Sequence, residues 1–241
     1  MQAKDLYILG DLFDNFWLGN DDHLEPSPDI IAELKDYTSK GKSLYIIKGN
    51  RELMLDKGIE ALTGARLLPD LYVIDLYGNN VLIAHGDVLC AKDRAYQFYR
   101  TMMELRFVRW FFLSLPYPLR LLLVNGIRPL MRDSVKRKAP EIIDVDDKAV
   151  TETMLEYKVQ EMIHGHTHRP DKHTFDLKGE TATRIVLGDW HKRDSVLVCD
   201  KNKRTLMSVQ DYIDSMEFLW AQERTPCLVQ PLTEGHNTQR G

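Results

Sequence analysis

Four short strings hold most of the groups in this sequence that could do chemistry: Gly10-Asp11, Gly49-Asn50-Arg51, His85-Gly86-Asp87 and Gly165-His166-Thr167-His168. Carboxylate, amide and imidazole are hard or borderline oxygen and nitrogen donors, suited to Mn2+, Fe2+ or Mg2+. None of the four strings contains a thiol, which disfavours a cysteine-bound zinc site. A glycine beside each donor lets the chain turn sharply and lets a phosphate approach the backbone. His166 and His168, two residues apart, would share one face of a strand, but on a tight loop they can diverge and reach two adjacent ions. Two ions about 4 Å apart can activate a water and stabilise the oxygens of an in-line phosphoryl displacement. Taken singly, Gly-Asp or Gly-Asn-Arg after a strand reads as a turn. The paired histidines and the ordered set of four strings carry the metal reading. A second acid, Asp14, follows Asp11 closely. His164 reads as a packed residue behind a ligand, and His23, His173 and His236 as surface residues. His191, in Leu187-Gly188-Asp189-Trp190-His191, stays undecided.

Each string needs an element to hold it. Leu6–Leu9 and Leu44–Ile47 are short apolar runs that end at the first two strings and read as buried strands. Pro28–Lys40 places Ile30, Ile31, Leu34 and Tyr37 at helical spacing before Gly41. Tyr72–Leu76 and Val81–His85 flank Tyr77-Gly78-Asn79-Asn80, a hairpin signal. The spacing predicts a helix from Asp93 to about Leu115, broken by Pro116 and Pro118, then a second helix over 119–138. Asp144–Tyr157 reads as a helix and Glu161–His164 as a strand entering the histidine loop. Ile185–Leu187, Val196–Cys199 and Thr205–Val209 read as further short strands. Strand, helix, strand at the front and short strands at the back predict an α/β architecture with two layers of sheet. In open α/β sheets ligands collect at strand ends, where all four strings fall.

The whole chain has 241 residues and a net charge of −4, which excludes a generic polyanion binder and leaves no nucleic-acid partner in view. Cys90, Cys199 and Cys227 are odd in number and lack CxxC spacing, so a disulfide framework is not expected and a reducing cytoplasm fits. Met1-Gln2-Ala3-Lys4-Asp5 has no apolar signal core, and no run is long and apolar enough to span a membrane. The charge is uneven. Residues 100–138 hold Arg100, Arg106, Arg109, Arg120, Arg128, Arg132, Lys136, Arg137 and Lys138 against Glu104 and Asp133, a net +7 beside −11 for the rest. The same segment contains the apolar run Trp110–Leu119. Basic and aromatic residues interleaved in this way suit an anionic lipid surface. A core helix pair with snorkelling arginines is the competing reading.

The ordered motifs resemble the calcineurin-like metallophosphoesterases. Within that family, several extended strings are similar to the branch that cleaves the pyrophosphate of an acylated UDP-sugar. They are Tyr7-Ile8-Leu9-Gly10-Asp11-Leu12-Phe13; Gly49-Asn50-Arg51-Glu52, where most members have Gly-Asn-His; His85-Gly86-Asp87 with Leu89-Cys90 and Asp93-x-x-Tyr96-Gln97; and Ile163-His164-Gly165-His166-Thr167-His168-Arg169-Pro170. The resemblance implies an α/β β-sandwich flanked by helices, forming one domain over residues 1–225. It places a helical lid at about 93–140 and leaves 226–241 as a fraying tail. It implies two Mn2+ ions, with Asp11 bridging them, Asn50, His85 and His166 completing one site, and His168 belonging to the other. The nucleophile is then a metal-bound water and not a side chain. Arg51 would grip phosphate with its planar fork, Asn50 and His166 would border the substrate, and Asp93, Tyr96 and Lys138 would lie near sugar, phosphate and acyl groups. The basic apolar segment would face the acyl chains and an anionic membrane, at the cytoplasmic side of the inner membrane.

Two departures from the family pattern stand out. An Asp-x-His motif is expected upstream of Asp11, ahead of Met1, together with the strand that carries it, and a misplaced start is the expected cause. Positions before Lys138 that are polar in the branch are Met131 and Val135 here, with Ser134 as a stand-in. Two other readings remain: a calcineurin-like phosphoesterase for a soluble nucleotide, and a non-catalytic relative that binds a membrane surface.

Overall fold

A computed structural model describes residues 3–13, 17–19, 28–190 and 194–223. Asp14, His23, His191, His236 and the tail 226–241 lie outside the described residues, as do the side chains of Met131, Ser134 and Val135. The first elements are β1 (Asp5–Leu9), α1 (Pro28–Ser39), β2 (Ser43–Ile47), α2 (Gly58–Thr63) and β3 (Arg66–Leu68). The hairpin β4 (Leu71–Leu76) and β5 (Asn79–Ala84) follows, then the helices α3 (Arg94–Glu104), α4 (Arg106–Ser114), α5 (Tyr117–Arg137), α6 (Pro140–Ile143) and α7 (Asp147–Tyr157). The chain closes with β6 (Glu161–His164), β7 (Asp171–Leu177), β8 (Glu180–Val186), β9 (Val196–Cys199), β10 (Arg204–Met207) and α8 (Val209–Glu223).

β1, β2 and β3 form a parallel sheet in that order. A second sheet runs β4-β5-β6-β8-β7, with β5, β6 and β8 parallel and the outer strands antiparallel. β9 and β10 make a separate hairpin. The two-residue alternation of strands builds the layers. Leu9 and Ile47 of the first sheet meet Ile74, Val81, Ile83, Ile163 and Ile185 of the second in one buried core between the sheets. On the outer face of the first sheet, Leu44 and Ile46 pack with Ile31, Leu34 and Ile59 of α1 and α2. On the outer face of the second, Leu82, Met162 and Ala182 pack with Val150 and Met154 of α7. The result is a β-sandwich flanked by helices. Because β1 and β2 are parallel, as are β5, β6 and β8, the strings that follow these strands leave each sheet at one edge.

The expected helix over 93–115 is two helices. Leu105, extended at φ −60° and ψ 126°, separates α3 from α4, although no proline or glycine stands there. Pro116 and Pro118 mark the next break as expected, and α4 folds back on the first part of α5 at 118°. No single described helix is long and apolar enough to cross a membrane. Pro129 lies inside α5 and does not end it.

The charge count of this insertion changes once side chains are placed. Arg100 is buried among Asp87, Asp70 and Glu104. Arg109 donates to the carbonyls of Leu53, Met54 and Leu55. Arg120, also buried, donates to the carbonyl of Leu18 at 2.5 Å. Lys138 lies against both carboxylate oxygens of Asp93 at 2.7 Å. Three of the nine basic residues therefore bind the insertion to the body, Lys138 pairs within it, and Arg106, Arg128 and Arg137 remain exposed. The apolar side chains behave oppositely: Phe98, Phe107, Trp110, Phe111 and Leu122 are each more than half exposed.

Candidate metal centre

The two sheets bring their loops into contact through glycine. A Cβ on Gly10 would stand 2.5 Å from His85 Nδ1 and 2.6 Å from the Gly49 backbone, and one on Gly49 would stand 2.2 Å from the Asp11 nitrogen. No side chain fits in those gaps, so the loops after β1, β2 and β5 dovetail only with glycine at both positions. The loop after β6 joins them where Gly165 N–H donates to the His85 carbonyl at 2.9 Å.

Three donor atoms converge at this junction. Asn50 Oδ1 lies 3.1 Å from His85 Nε2, and His166 Nδ1 lies 3.2 Å from each of them. His85 Nδ1 lies 2.7 Å from the Leu9 carbonyl, an acceptor, so Nδ1 carries the proton and Nε2 presents a lone pair to the cluster. Burial pushes the His166 imidazole down to about 4, with His85 adding to the effect, so His166 is neutral near pH 7. Lone pairs turned toward one another repel unless a cation lies among them. Ligands about 2.1 Å from one ion stand about 3.0 Å apart at a right angle and about 3.4 Å apart in a tetrahedron, a range that contains all three separations. The donor set fits a borderline divalent ion. Among the described residues no three His, Cys, Asp or Glu side chains converge in this way, so the amide of Asn50 is an indispensable member.

Asp11 and His168 stand beside the triangle. Asp11 Oδ1 is 3.8 Å from His85 Nε2 and accepts the Arg51 backbone N–H at 3.2 Å. His168 Nδ1 faces Asp189 Oδ2 at 3.5 Å, too long for a hydrogen bond, and is buried without a hydrogen-bond partner. Burial lowers the His168 pKa, and the Asp11 and Asp189 carboxylates oppose that shift. Asp11, His166 and His168 all adopt left-handed backbone, with φ of 52°, 67° and 54°. Such strain collects at functional sites, where the surrounding structure holds it. The two histidines do diverge on the loop: His166 turns into the triangle and His168 turns toward Asp189.

Sequence reasoning missed Asp189 and Glu52. Asp189 had a signal, since Gly188-Asp189 after β8 repeats the Gly-Asp pattern seen after β1. Glu52 had none, because a charged residue in a loop is ordinarily exposed. It is buried, and its carboxylate accepts the N–H groups of Asp11, Phe13 and Gly49 at 2.8, 3.0 and 3.1 Å. Burial and the Asp11 carboxylate raise its pKa to about 7 against the bonds from Phe13 and Asp11 and the pull of His85. One side chain thus fixes both the Asp11 loop and the Asn50 loop. Glu52→Ala strands three buried donors at roughly 1–3 kcal/mol each. A fall in melting temperature of roughly 6 °C or more is expected, together with weaker metal binding. Melting with and without chelator measures both, and an unchanged metal affinity would remove Glu52 from the site's support.

The residues expected to touch substrate divide into two groups. Arg51 borders the Asp11 carboxylate, with Nε 3.9 Å from Oδ2, and its side chain is 36% exposed. Asp93 caps α3 by accepting the Tyr96 N–H at 3.1 Å while it pairs with Lys138. The Tyr96 hydroxyl donates to Asp87 Oδ2 at 2.5 Å, and Arg100 Nε donates to the same oxygen at 2.9 Å. Burial opposes ionisation of Asp87, but His85, Arg100 and Tyr96 overcome it and hold the carboxyl below its usual range. The Tyr96 side chain is therefore joined to the body of the protein, Asp93 and Lys138 pair with each other at the start of α3, and Asp87 connects α3 to the strand end that carries His85. His164, fully buried behind the loop, donates to or accepts from no ligand atom of the triangle.

A family model for calcineurin-like phosphoesterases matches residues 2–170. The chain is 43% identical over 210 residues to a UDP-2,3-diacylglucosamine hydrolase of Aeromonas salmonicida, covering 85% of this chain and 80% of that protein. It is 41% identical over 206 residues to the protein of the same name from Vibrio cholerae, covering 85% of each chain. The Vibrio vulnificus protein of that name is 41% identical over 197 residues, covering 82% of this chain and 81% of its own. A solved structure of Vps29 from Entamoeba histolytica aligns at a TM-score of 0.36 with 12% identity, over 84% of this chain and 89% of that one, a likeness too loose to bear on the site. Sequence match and fold agree, and the chain is a metal-dependent hydrolase that belongs to the calcineurin-like phosphoesterase family.

Proposed function

We propose that this protein hydrolyses the pyrophosphate bond of UDP-2,3-diacylglucosamine in lipid A biosynthesis, with Mn2+ as the working metal. Water adds to one phosphorus and the bridging oxygen leaves with the other, giving UMP and 2,3-diacylglucosamine 1-phosphate (lipid X). The observation that carries the reading is the donor triangle of Asn50, His85 and His166 set beside an insertion with a broad exposed apolar face. The relatives' shared name supplies the substrate. In this reading Asn50, His85 and His166 would hold one ion, and Asp11, His168 and Asp189 would contribute to holding a second. Such ions supply an acidified water and neutralise charge on phosphate oxygens.

The chain's own residues do the rest. Arg51 offers a planar fork to the pyrophosphate. Asp93, Tyr96 and Lys138 border the sugar from the α3 side, where one remaining Lys138 N–H can reach a phosphate while the ammonium stays paired. Phe98, Phe107, Trp110, Phe111 and Leu122 face the acyl chains and the bilayer, and Arg106 and Arg128 face anionic headgroups. The protein then works as a peripheral enzyme on the cytoplasmic face of the inner membrane.

Purified protein given Mn2+ and UDP-2,3-diacylglucosamine is expected to release UMP, and chelator to stop it. Faster turnover of a soluble phosphodiester than of the acylated substrate would contradict the reading. The membrane part has its own test. Phe107→Ser with Trp110→Ser removes two side chains that are 71% and 66% exposed. At roughly 1.5 kcal/mol or more per buried aromatic, partition onto anionic vesicles should weaken by about tenfold or more. Sedimentation with vesicles measures it, and equal partition of variant and parent would remove this face from the membrane.

A further inference from the structure

Beside the histidine loop lies a half-open pocket of about 500 Å3. Its walls include Thr167, Arg169, Asp171, His173, Arg184 and Asp144. Thr167 stands between His166 and His168 in the chain, so the pocket and the metal centre share the histidine loop. The sheet order β5-β6-β8-β7 sets its direction: α3 is joined to the β5 end through Asp87, whereas the pocket lies at the start of β7 and the end of β8. The metal centre falls between the two.

The charges of the pocket balance. Arg169 Nη1 pairs with Asp144 at 2.6 Å, Arg184 Nη2 faces Asp147 at 3.7 Å, and His173 Nε2 faces Asp171 at 4.0 Å. Each arginine meets a carboxylate, so there is no surplus to draw a phosphate. What the walls offer is a dense set of donors and acceptors around a space of small-ligand size, within the roughly 300–1,000 Å3 usual for such sites. That suits an uncharged group rich in hydrogen-bonding atoms. We infer that this pocket receives the nucleoside of the pyrophosphate substrate, a uridine-type base and ribose, while the metal centre takes the phosphates and the insertion takes the acylated sugar. Ribose hydroxyls and the ring N–H would donate to Asp144 and Asp171, and the ring carbonyls would accept from Arg169 and Arg184. The inference rests on the nucleotide reading of the substrate.

The test is direct binding of UMP in the presence of Mn2+, with inorganic phosphate as the probe lacking the nucleoside. His173 is half exposed on β7, and a tryptophan there fills the pocket without touching the core. UMP should bind His173→Trp about tenfold or more weakly than the parent. Lys172→Trp, on the opposite face of the same strand, should match the parent. In the parent protein UMP should also shift the amide resonances of Thr167, Arg169 and Val186, a readout independent of any variant. Equal UMP affinity in parent and His173→Trp, or UMP held no more tightly than phosphate, would overturn the subsite. Hydrolysis of UDP-2,3-diacylglucosamine by the parent is scored separately. Active protein with no nucleoside contribution to binding sinks the pocket alone, and tight, pocket-dependent UMP binding without hydrolysis sinks the proposed reaction alone.

Discussion

His85→Ala is expected to lose metal and activity together. The side chain is buried, its Nδ1 is spent on the Leu9 carbonyl, and Nε2 is one corner of a triangle with edges of 3.1 and 3.2 Å. Without it, Asn50 and His166 are a two-donor remnant, too few to hold a divalent ion against water. Metal stabilisation of the transition state amounts to several kcal/mol, so turnover should fall by at least about a thousandfold. Metal content after dialysis, measured beside the hydrolysis rate, is the check. An inactive variant that still carries the parent's metal would show that His85 acts otherwise than as a ligand. Melting curves of both proteins in chelator separate metal loss from misfolding.

Arg100→Met should produce a large loss of stability. Arg100 joins three carboxylates: Asp87 at 2.9 Å, Asp70 at 2.7 Å and Glu104 at 2.9 Å. Methionine fills much of the same volume but leaves Asp87, itself buried, with only the Tyr96 hydroxyl among its polar side-chain partners here. Breaking a buried pair from one side costs about 3–5 kcal/mol, which for a chain of this size lowers the melting temperature by roughly 6–20 °C. Asp87 also stands behind His85, so metal affinity should fall with stability. A double replacement, Arg100→Met with Asp87→Asn, removes both charges and should recover part of the stability. No recovery would mean that packing, and not the stranded charge, sets the cost.

The donors of the centre were legible because each follows a strand whose own pattern is plain. Leu44-Tyr45-Ile46-Ile47 and Val81-Leu82-Ile83-Ala84 are apolar on both faces, as strands between two packed layers must be, and each ends at a glycine-bearing polar string. β7 and the start of β8 were hidden because Asp171–Leu177 is polar at every exposed position, and its turn, Lys178-Gly179, lacks the Asn-Gly or Asp-Gly pair that marks a hairpin. Both turn residues have positive φ, as does the Tyr77-Gly78 pair that did signal a hairpin. α2 and β3 are too short to show a period, at six and three residues. α8 begins at Val209, where a further strand was expected to end, so the chain turns helical directly after β10. The break at Leu105 and the inward turn of Arg100, Arg109 and Arg120 have no local signature. They depend on acceptors supplied by Leu18, Leu53–Leu55, Asp70 and Asp87, which sequence spacing does not place nearby.

Those three arginines also decide how a greasy ligand can arrive. Each rivets a different helix, α3, α4 or α5, to a fixed part of the body. Helices fastened at three separate points do not swing as a door. On the proposed function the apolar face would then be a standing awning, and a chain-bearing ligand would slide in along it from the edge. Entry is then limited by how quickly exposed aromatics such as Phe107 and Trp110 change rotamer, on a scale of nanoseconds or less, and not by the slower hinge motions that pace enzymes with closing flaps.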